Sequence, residues 1–356
     1  MEQRRIHPSR DYRELDGWLR ETGAERLFLV CGSSLRTWRL GGYFDALEER
    51  LGIQVVRFSG FRPNPRYEEA EAAEAAFRAA GCQALAAVGG GSALDVAKCV
   101  KLWAERDPIP FLAVPTTAGT GSEATRYAVV YRRGEKQSIA HERCLPSAVM
   151  LDPAALESLP DYHRKASMLD ALCHGIESYW SLGSTPESRD FAGQAIRTIV
   201  GCYPGYLNNT PEGNAGMLEG AHLAGRAINV AKTTAGHAMC YQMTKRFGLA
   251  HGHAAALCVA KLWPFLLDHS ERCADPRGRV HLERILDEIA RCMGGSAPRS
   301  GAERFQAILD ELELEVPLPS TEDLAALSNA VNVERLQNFP IRLSKGEIEA
   351  LYQEIL

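Results

Sequence analysis

The first half of the sequence alternates short apolar runs with tight turns and helix-like segments, and this alternation restricts the fold more than any other feature. The apolar runs occupy residues 26–31, 54–58, 84–88 and 110–114. Helix-like segments separate them at residues 43–51, 67–80 and 93–103. Strands and helices joined by short turns are typical of a parallel sheet with helices on both faces, whose ligands bind beyond the carboxyl ends of the strands. The pattern therefore predicts an α/β domain with a ligand site at its turns.

The third apolar run leads into a glycine-rich turn and a helical segment. The turn consists of Gly89, Gly90, Gly91 and Ser92. Glycines allow close backbone approach, and the free N–H groups at the start of a helix favour a phosphate. In this context the turn predicts pyrophosphate binding, with Asp95 in the first helical turn and Lys98 one turn later. A glycine turn alone would only reverse the chain.

A second polar turn, at residues 115–122, follows the fourth apolar run. Its hydroxyl-bearing residues include Thr116, Thr117 and Thr120. Such a turn can hold a ribose or a phosphate, and the alternative is a plain solvated loop.

A candidate metal site begins with Asp170 and His174, which lie at positions i and i+4 of a helical pattern. On one helix face, a carboxylate and an imidazole at this spacing can converge on one cation. Alone, such a pair is more often an unrelated carboxylate and histidine. It therefore supplies half of a site at most.

The other half could come from two histidines fourteen positions apart, His237 and His251. On one unbroken helix they would lie about 21 Å apart, too far for one ion. The helix is therefore expected to break at residues 247–249, around Gly248. His253 competes with His251 as a ligand. Three imidazoles and one carboxylate suit Fe(II) or Zn(II).

The chain has 356 residues, which is long enough for two domains and a large core. A net charge of −5 gives no general attraction to nucleic acid or to an anionic membrane, and no segment resembles a signal peptide or a membrane span. Ten cysteines without a C-x-x-C pair indicate a reducing compartment. We therefore expect a soluble, cytoplasmic protein.

Breaking signals at residues 151–153 and 158–160 predict a domain boundary, with an α/β domain over residues 1–158 and a helical domain over residues 159–356. Helices of the second domain are expected around residues 163–181, 187–206, 213–229, 232–246, 251–268, 280–292, 300–312, 321–330 and 345–355.

Taken together, these motifs resemble one known family. The chain contains Gly-Gly-Gly-Ser-x-x-Asp-x-x-Lys, Pro-Thr-Thr-Ala-Gly-Thr-Gly-Ser-Glu, Asp-x-x-x-His-x-x-Glu and two spaced histidines, in this order. Over residues 26–351 it thereby resembles the iron-containing (group III) alcohol dehydrogenases. The resemblance implies a Rossmann-like dinucleotide-binding domain, an all-α metal-binding domain, metal and nicotinamide meeting in the cleft between them, and a homodimer or larger homo-oligomer.

The resemblance also assigns residues. It implies that the metal ligands are Asp170, His174, His237 and His251, with His251 preferred because it matches the family interval of fourteen residues. It implies that the dinucleotide contacts are Gly89, Gly90, Gly91, Ser92, Asp95, Lys98, Thr116, Thr117 and Thr120.

The turn after the first apolar run bears on which dinucleotide is used. NAD-using relatives commonly carry an aspartate there, which would repel a 2′-phosphate. This chain has Gly32, Ser33 and Ser34, followed by Arg36. We therefore expect NADPH or NADH, and we include Asn64, in the turn after the second run, among the expected cofactor contacts.

One departure from the family concerns the proton donor. Many members carry a second histidine four residues after the first ligand histidine, where this chain has Tyr241. The proton could come through Tyr241, water or the cofactor ribose.

Cations before the candidate metal ligand bear on the substrate. Arg226 and Lys232 precede His237, and a cation there suits an anion better than a neutral alcohol. Alternatively, each is an ordinary surface cation. The stretch Ile-Asn-Val-Ala-Lys-Thr-Thr-Ala-Gly-His-Ala-Met, residues 228–239, is similar to the phosphonoacetaldehyde reductase branch of the family. This similarity implies reduction of phosphonoacetaldehyde to 2-hydroxyethylphosphonate in phosphonate biosynthesis. Arg335 and Asn338 are expected to close the same pocket.

Several alternatives stay open at this stage. The cations would serve phosphonopyruvate equally well, and a general short-chain alcohol dehydrogenase would need neither. The same fold also serves cyclases of the dehydroquinate synthase type. The Asp-x-x-x-His pair and the Pro-Thr-Thr turn favour the dehydrogenases over these cyclases. A subunit that binds nucleotide without catalysis is disfavoured by the presence of all four candidate ligands.

Overall fold

The structure of the protein is a computed structural model that describes residues 3–104, 108–331 and 336–356. The chain divides into two compact units, Met1–Leu159 and Pro160–Leu356.

A parallel sheet forms the centre of the first unit. Its strands are β1 (Arg4–Ile6), β2 (Arg26–Cys31), β3 (Gln54–Phe58), β4 (Ala84–Gly89), β5 (Phe111–Pro115) and β8 (Ala148–Met150). They lie in the order β1-β8-β5-β4-β2-β3, and all neighbours are parallel. The predicted α/β class with a parallel sheet is confirmed.

Both faces of this sheet are buried, which explains why its central strands read as continuous apolar runs. In β2, Leu27 and Leu29 belong to one apolar cluster, and Phe28 and Val30 belong to another. The helices of the unit are α1 (Glu14–Thr22), α2 (Arg39–Asp45), α3 (Leu47–Leu51), α4 (Tyr67–Ala79) and α5 (Gly91–Trp103).

Four strands of this unit were not predicted from the sequence. β1 and β8 are only three residues long, too short for a visible alternation. β6 (Tyr127–Arg132) and β7 (Glu135–Ala140) form an antiparallel hairpin. Arg133 and Gly134 both have positive φ (53° and 80°), as a two-residue hairpin turn requires.

The second unit is helical in its described part. Its helices are α6 (Asp161–Trp180), α7 (Pro186–Leu207), α8 (Pro211–Ala231), α9 (Ala235–Phe247), α10 (His251–Asp268), α11 (Arg279–Cys292), α12 (Pro298–Glu311), α13 (Thr321–Asn329) and α14 (Lys345–Ile355). The predicted helical C-terminal domain is confirmed. Among the described residues, no helix has the length and apolarity needed to cross a membrane.

The junctions of α9 position the candidate ligands. Gly248 is left-handed (φ 70°) and ends α9, and α10 begins at His251, so the predicted break is present. α9 begins at Ala235, three residues later than predicted, because the backbone of Lys232 has a positive φ of 62°.

Candidate metal centre and dinucleotide turns

Helix α6 carries three ionisable side chains on one face. Asp170, His174 and Glu177 follow each other at intervals of four and three residues, so they lie along one side of the helix. All three are buried, and Glu177 is 0 % exposed. Buried charged groups are costly unless other groups pair with them or they bind a cation.

The first turn of α9 brings His237 to this face of α6. His237 Nε2 lies 3.5 Å from Asp170 Oδ1. On the other side of the ring, His237 Nδ1 forms a hydrogen bond with Glu177 Oε2. The imidazole rings of His174 and His237 are stacked, with their centroids 4.5 Å apart.

Glu177 is the last residue of the Asp-x-x-x-His-x-x-Glu motif, but the sequence analysis gave it no role. Its Oε1 accepts hydrogen bonds from Thr234 N (3.1 Å), Thr234 Oγ1 (2.7 Å) and Gly236 N (2.9 Å). Backbone N–H groups at the start of a helix have no partner within that helix, so Glu177 caps α9 as well as orienting His237. The signal in the sequence was its spacing of three residues from His174 on the same helical face.

Helix α10 approaches α6 closely at Gly252. A Cβ atom at this position would lie 2.1 Å from Ala166 O and 2.5 Å from Asp170 Cβ, so only glycine fits without a shift. This approach brings His251 next to His237, with their ring centroids 5.2 Å apart and edge to face.

These side chains fit a metal ion. The candidate ligand atoms of Asp170, His174 and His237 all lie within 4.8 Å of one another. Asp170 Oδ1 and His237 Nε2 are buried and have no hydrogen-bond partner among the described residues. Leaving a buried polar atom unsatisfied costs about 1–3 kcal/mol, and a divalent first-row cation would satisfy both atoms. His251 lies beside this trio and is not one of its members.

Electrostatics at the trio favour positive charge. Burial raises the pKa of Asp170, but the neighbouring imidazoles, His174 foremost, outweigh burial and hold this pKa below its ordinary value. Burial lowers the pKa of His237, but the carboxylates of Glu177 and Asp170 outweigh burial and raise it to about 9. The same two carboxylates that raise the pKa of His237 would also attract a metal cation.

His253, the competing ligand candidate, has a different environment. It is 1 % exposed, and its Nδ1 lies 3.3 Å from Tyr162 Oη, which accepts a hydrogen bond from Ala250 N. Of His251 and His253, it is His251 whose ring lies next to that of His237.

In the first unit, the two polar turns lie against each other. A Cβ atom at Gly90 would lie 3.3 Å from the side chain of Thr117, and one at Gly91 would lie 3.2 Å from Thr120 Cγ2. Thr116 N donates to Gly89 O at 3.0 Å. Since α5 begins at Gly91, its first N–H groups lie beside these hydroxyls, which is an arrangement that fits a phosphate.

Of the predicted cofactor contacts at the other turns, Asn64 contacts the glycine turn, and residues 32–34 form a turn of their own. Ser92 Oγ accepts a hydrogen bond from Asn64 N at 3.1 Å. Gly32 precedes a short 3₁₀ turn whose residues Ser33 and Ser34 are exposed. Of the atoms that the structure describes, a Cβ atom at Gly32 would meet only Ser34 Oγ, at 3.9 Å, so the turn is open.

Two predicted cofactor contacts are instead used inside the protein. The ammonium of Lys98 is fully buried and donates to Ser122 Oγ (2.8 Å), Thr125 Oγ1 (3.1 Å) and Tyr127 O (2.7 Å), so no donor is left for a dinucleotide. The carboxylate of Asp95 accepts from Ser122 Oγ (2.8 Å) and from Val129 N (3.1 Å). Burial lowers the pKa of Lys98, although Asp95 opposes this effect. The geometry assigns both residues to holding the second polar turn.

The predicted substrate and proton-transfer residues have unequal environments. Lys232 is exposed, directly follows α8, and has no hydrogen-bond or ion-pair partner for its ammonium among the described residues. The ring of Tyr241 lies edge to face with that of His251, with the centroids 6.2 Å apart. Lys232 lies three residues before α9, and Tyr241 lies on α9, the helix that carries His237.

Three other predicted substrate contacts differ from these. The guanidinium of Arg226 is exposed and stacks on the ring of Phe191, 3.9 Å from its centroid, so its partner is the surface of α7. The side-chain amide of Asn338 donates to Ala231 O (2.9 Å) and Thr233 O (3.1 Å), which uses both of its N–H donors. Arg335 lies outside the described residues.

Comparison with known proteins agrees with this arrangement. The family described as iron-containing alcohol dehydrogenase matches residues 4–153, and its C-terminal part, the Fe-containing alcohol dehydrogenase family C-terminal domain, matches residues 165–356. A phosphonoacetaldehyde reductase of Streptomyces viridochromogenes is 33% identical over 299 residues, 75% of each chain. An NAD-dependent methanol dehydrogenase of Bacillus methanolicus is 27% identical over 86% of this chain and 84% of its own length.

A solved structure gives the same fold. The crystal structure of a sulfoacetaldehyde reductase from Bifidobacterium kashiwanohense in complex with NAD+ matches with a TM-score of 0.86 and 24% identity, over 99% of this chain and 96% of that chain. The matched ranges cover both units, and they contain the glycine turn and the three buried candidate ligands. This protein belongs to the iron-containing alcohol dehydrogenase family and is an oxidoreductase.

Proposed function

We propose that this protein reduces a small aldehyde that bears a phosphonate group, namely phosphonoacetaldehyde, to 2-hydroxyethylphosphonate, with NADPH or NADH. The observation that carries the proposal is the ammonium of Lys232, which is exposed, has no partner within the described part of the chain and lies five residues before His237. A cation beside the start of a ligand-bearing helix suits a doubly charged substrate group. The relative that is 33% identical bears the name of this activity.

The metal ligands in this proposal are Asp170, His174, His237 and His251. Iron(II), or zinc(II), bound there would act as a Lewis acid toward the carbonyl group of the substrate. Glu177 keeps a proton on Nδ1 of His237, which leaves Nε2 free to bind the cation. Gly252 allows α10 to approach α6 and keeps His251 beside His237.

The dinucleotide in this proposal is bound at the turns around Gly90, Gly91, Thr117 and Thr120, and its nicotinamide supplies the hydride. Lys98 and Asp95 hold the second turn in place from inside the protein. The open turn at Gly32, which lacks an acidic side chain, accepts a 2′-phosphate as well as a ribose hydroxyl.

Tyr241 takes the place of the proton-transferring histidine in the proposal. Its ring lies edge to face with that of His251, which is one of the candidate ligands. The homodimer or larger assembly expected from the resemblance stays a prediction.

The test compares substrates that differ in charge. The Fe(II)-loaded enzyme is assayed for oxidation of NADPH and NADH with phosphonoacetaldehyde, phosphonopyruvate and a neutral aldehyde of similar size. We expect kcat/KM to be highest for phosphonoacetaldehyde and to fall by about 10- to 100-fold in Lys232→Ala, the loss of one charge-assisted hydrogen bond. Lys245→Ala, which removes an exposed cation from the last turn of α9, is the matched control and should leave kcat/KM unchanged.

The other outcomes separate the alternatives. Higher turnover of phosphonopyruvate would reassign the substrate within the phosphonates. Equal or better turnover of the neutral aldehyde would refute the phosphonate proposal and would leave a general alcohol dehydrogenase.

A further inference from the structure

The backbone of Lys232 has an unusual conformation. Its φ is 62° and its ψ is 173°, in a region that is populated almost only by glycine. A lysine there is strained, because its Cβ atom crowds the backbone. Such strain persists only where the surroundings hold the residue, and it is concentrated at functional sites.

Two side chains hold the peptide groups on either side of Lys232. Ala231 O accepts hydrogen bonds from Ser181 Oγ (2.7 Å) and from Asn338 Nδ2 (2.9 Å). Thr233 O accepts from the same Asn338 Nδ2 at 3.1 Å. One amide thus bridges the residues before and after the strained position.

The bridging side chains are themselves held. Asn338 Oδ1 accepts a hydrogen bond from Gly183 N at 3.1 Å. The guanidinium of Arg277 donates to Ser181 O (3.1 Å), Leu182 O (3.3 Å) and Ser184 O (2.7 Å). The turn at residues 181–184 is therefore a fixed support for the segment that contains Lys232.

The same segment is tied to the candidate metal centre through α6. Trp180 Nε1 donates to Thr234 Oγ1 at 2.9 Å, and Glu177 accepts from Thr234 N and Oγ1. The last turn of α6 and the residue that follows it, Ser181, therefore form hydrogen bonds with residues 231, 234 and 236.

We infer that Asn338 and Ser181 are positioning residues, which hold the backbone of Lys232 in its strained conformation and thereby fix the point and direction from which its side chain leaves the chain, just before the helix that carries His237. This inference rests on the proposed function, since it makes the hold on Lys232 the origin of specificity for an anionic aldehyde. It gives Asn338 a role different from the predicted direct contact with substrate.

A stability measurement tests the strain without reference to activity. The melting temperature of the Fe(II)-loaded enzyme is compared for Lys232→Gly and Lys232→Ala, which both remove the ammonium. Glycine accepts this conformation, so we expect Lys232→Gly to melt about 2–5 °C higher than Lys232→Ala. Asn338→Ala should lower the melting temperature, and it should do so less in the Lys232→Gly background. Equal melting temperatures for the two variants at position 232 would overturn the strain.

A kinetic measurement tests the consequence for specificity. In Asn338→Ala and Ser181→Ala we expect KM for phosphonoacetaldehyde to rise about tenfold, with kcat for the neutral aldehyde and the affinity for Fe(II) unchanged. Asn208→Ala is the matched control, because its side-chain amide also donates to a backbone carbonyl, Pro204 O at 2.9 Å.

The outcomes distinguish the inference from the proposed function. If the wild-type enzyme shows no preference for the phosphonate, the proposed function fails. If the wild-type preference is strong and Asn338→Ala retains it, the inference alone fails. A loss of activity toward both aldehydes alike would also overturn the inference, because it would indicate a general structural role.

Discussion

Replacing Glu177 with glutamine tests how the buried carboxylate supports the metal centre. The amide oxygen of Glu177→Gln can still accept from Thr234 and Gly236, so the start of α9 keeps its cap. The amide nitrogen is a donor, however, and it cannot accept the Nδ1 proton of His237 as Glu177 Oε2 does. The substitution thus removes one charge-assisted hydrogen bond and leaves the chain trace intact.

The expected loss follows from that single bond. A hydrogen bond to a charged group contributes about 1.5–3 kcal/mol, which corresponds to roughly 10- to 100-fold in affinity. We therefore expect the affinity for Fe(II) to fall by this factor, measured anaerobically by competition with a chelator. Activity at saturating Fe(II) should largely return, since the ligands are all present.

A matched control keeps the test specific. Glu311 accepts a hydrogen bond from Tyr203 Oη at 2.9 Å, so Glu311→Gln alters a carboxylate whose partner is a phenol rather than an imidazole. It should bind Fe(II) like the wild type. If Glu177→Gln also binds Fe(II) like the wild type, Glu177 does not orient His237 toward a cation, and the reasoning is refuted.

Three further predictions concern the approach of α10, the choice of dinucleotide and acid stability. Gly252→Ala should destabilise the fold by about 3 kcal/mol and weaken metal binding, because its Cβ would lie 2.1 Å from a backbone carbonyl of α6. Gly201→Ala, in the interior of α7, is the control: its Cβ would meet no described atom within 4 Å, and alanine suits a helix better than glycine, so this variant should not lower stability in the same thermal unfolding assay. Gly32→Asp should raise KM for NADPH by at least about tenfold relative to NADH, through repulsion of the 2′-phosphate, and an unchanged ratio would exclude this turn from the cofactor site. Glu347→Gln should lower the melting temperature by about 2–4 °C at pH 7. In the folded state the hydrogen bond from Arg272 lowers the pKa of Glu347 from 4.5 to about 2, so the carboxylate stabilises the fold above pH 4.5 and this deficit should shrink as the pH falls toward 2; a deficit independent of pH would contradict it.

The helix α6 connects these expectations. Along its length it presents Asp170 and His174, then Glu177, then the indole of Trp180, and the next residue is Ser181. The last three of these contact the last residue of α8 or the segment that follows it. One helix therefore sets both the candidate metal ligands and the backbone around Lys232, so we expect perturbations at its C-terminal end to affect both.

Local patterns in the sequence were enough to predict much of this protein. The apolar runs predicted β2 to β5, because burial on both faces of a parallel sheet demands continuous apolar residues. The break at Gly248 followed from the distance between His237 and His251 on a straight helix, and the left-handed glycine is present there. Periodicity and turn chemistry act over a few residues, so a sequence displays them directly.

Only the tertiary structure decided which polar groups are already satisfied. The position of Lys98 beside a glycine turn predicts a phosphate-binding lysine, but its ammonium donates its hydrogen bonds to residues 24 to 29 positions away. Asn338 was predicted to contact the substrate, but its side-chain amide donates to Ala231 O, 107 positions away. Glu177 ends the Asp-x-x-x-His-x-x-Glu motif, but the motif does not show that this carboxylate contacts residues 57 to 60 positions later, at the start of α9. The sequence by itself thus determined the residue types of the centre and the helices that carry them. The role of each polar group depends on partners that only the folded chain brings within about 3 Å, because a hydrogen bond has that short a reach.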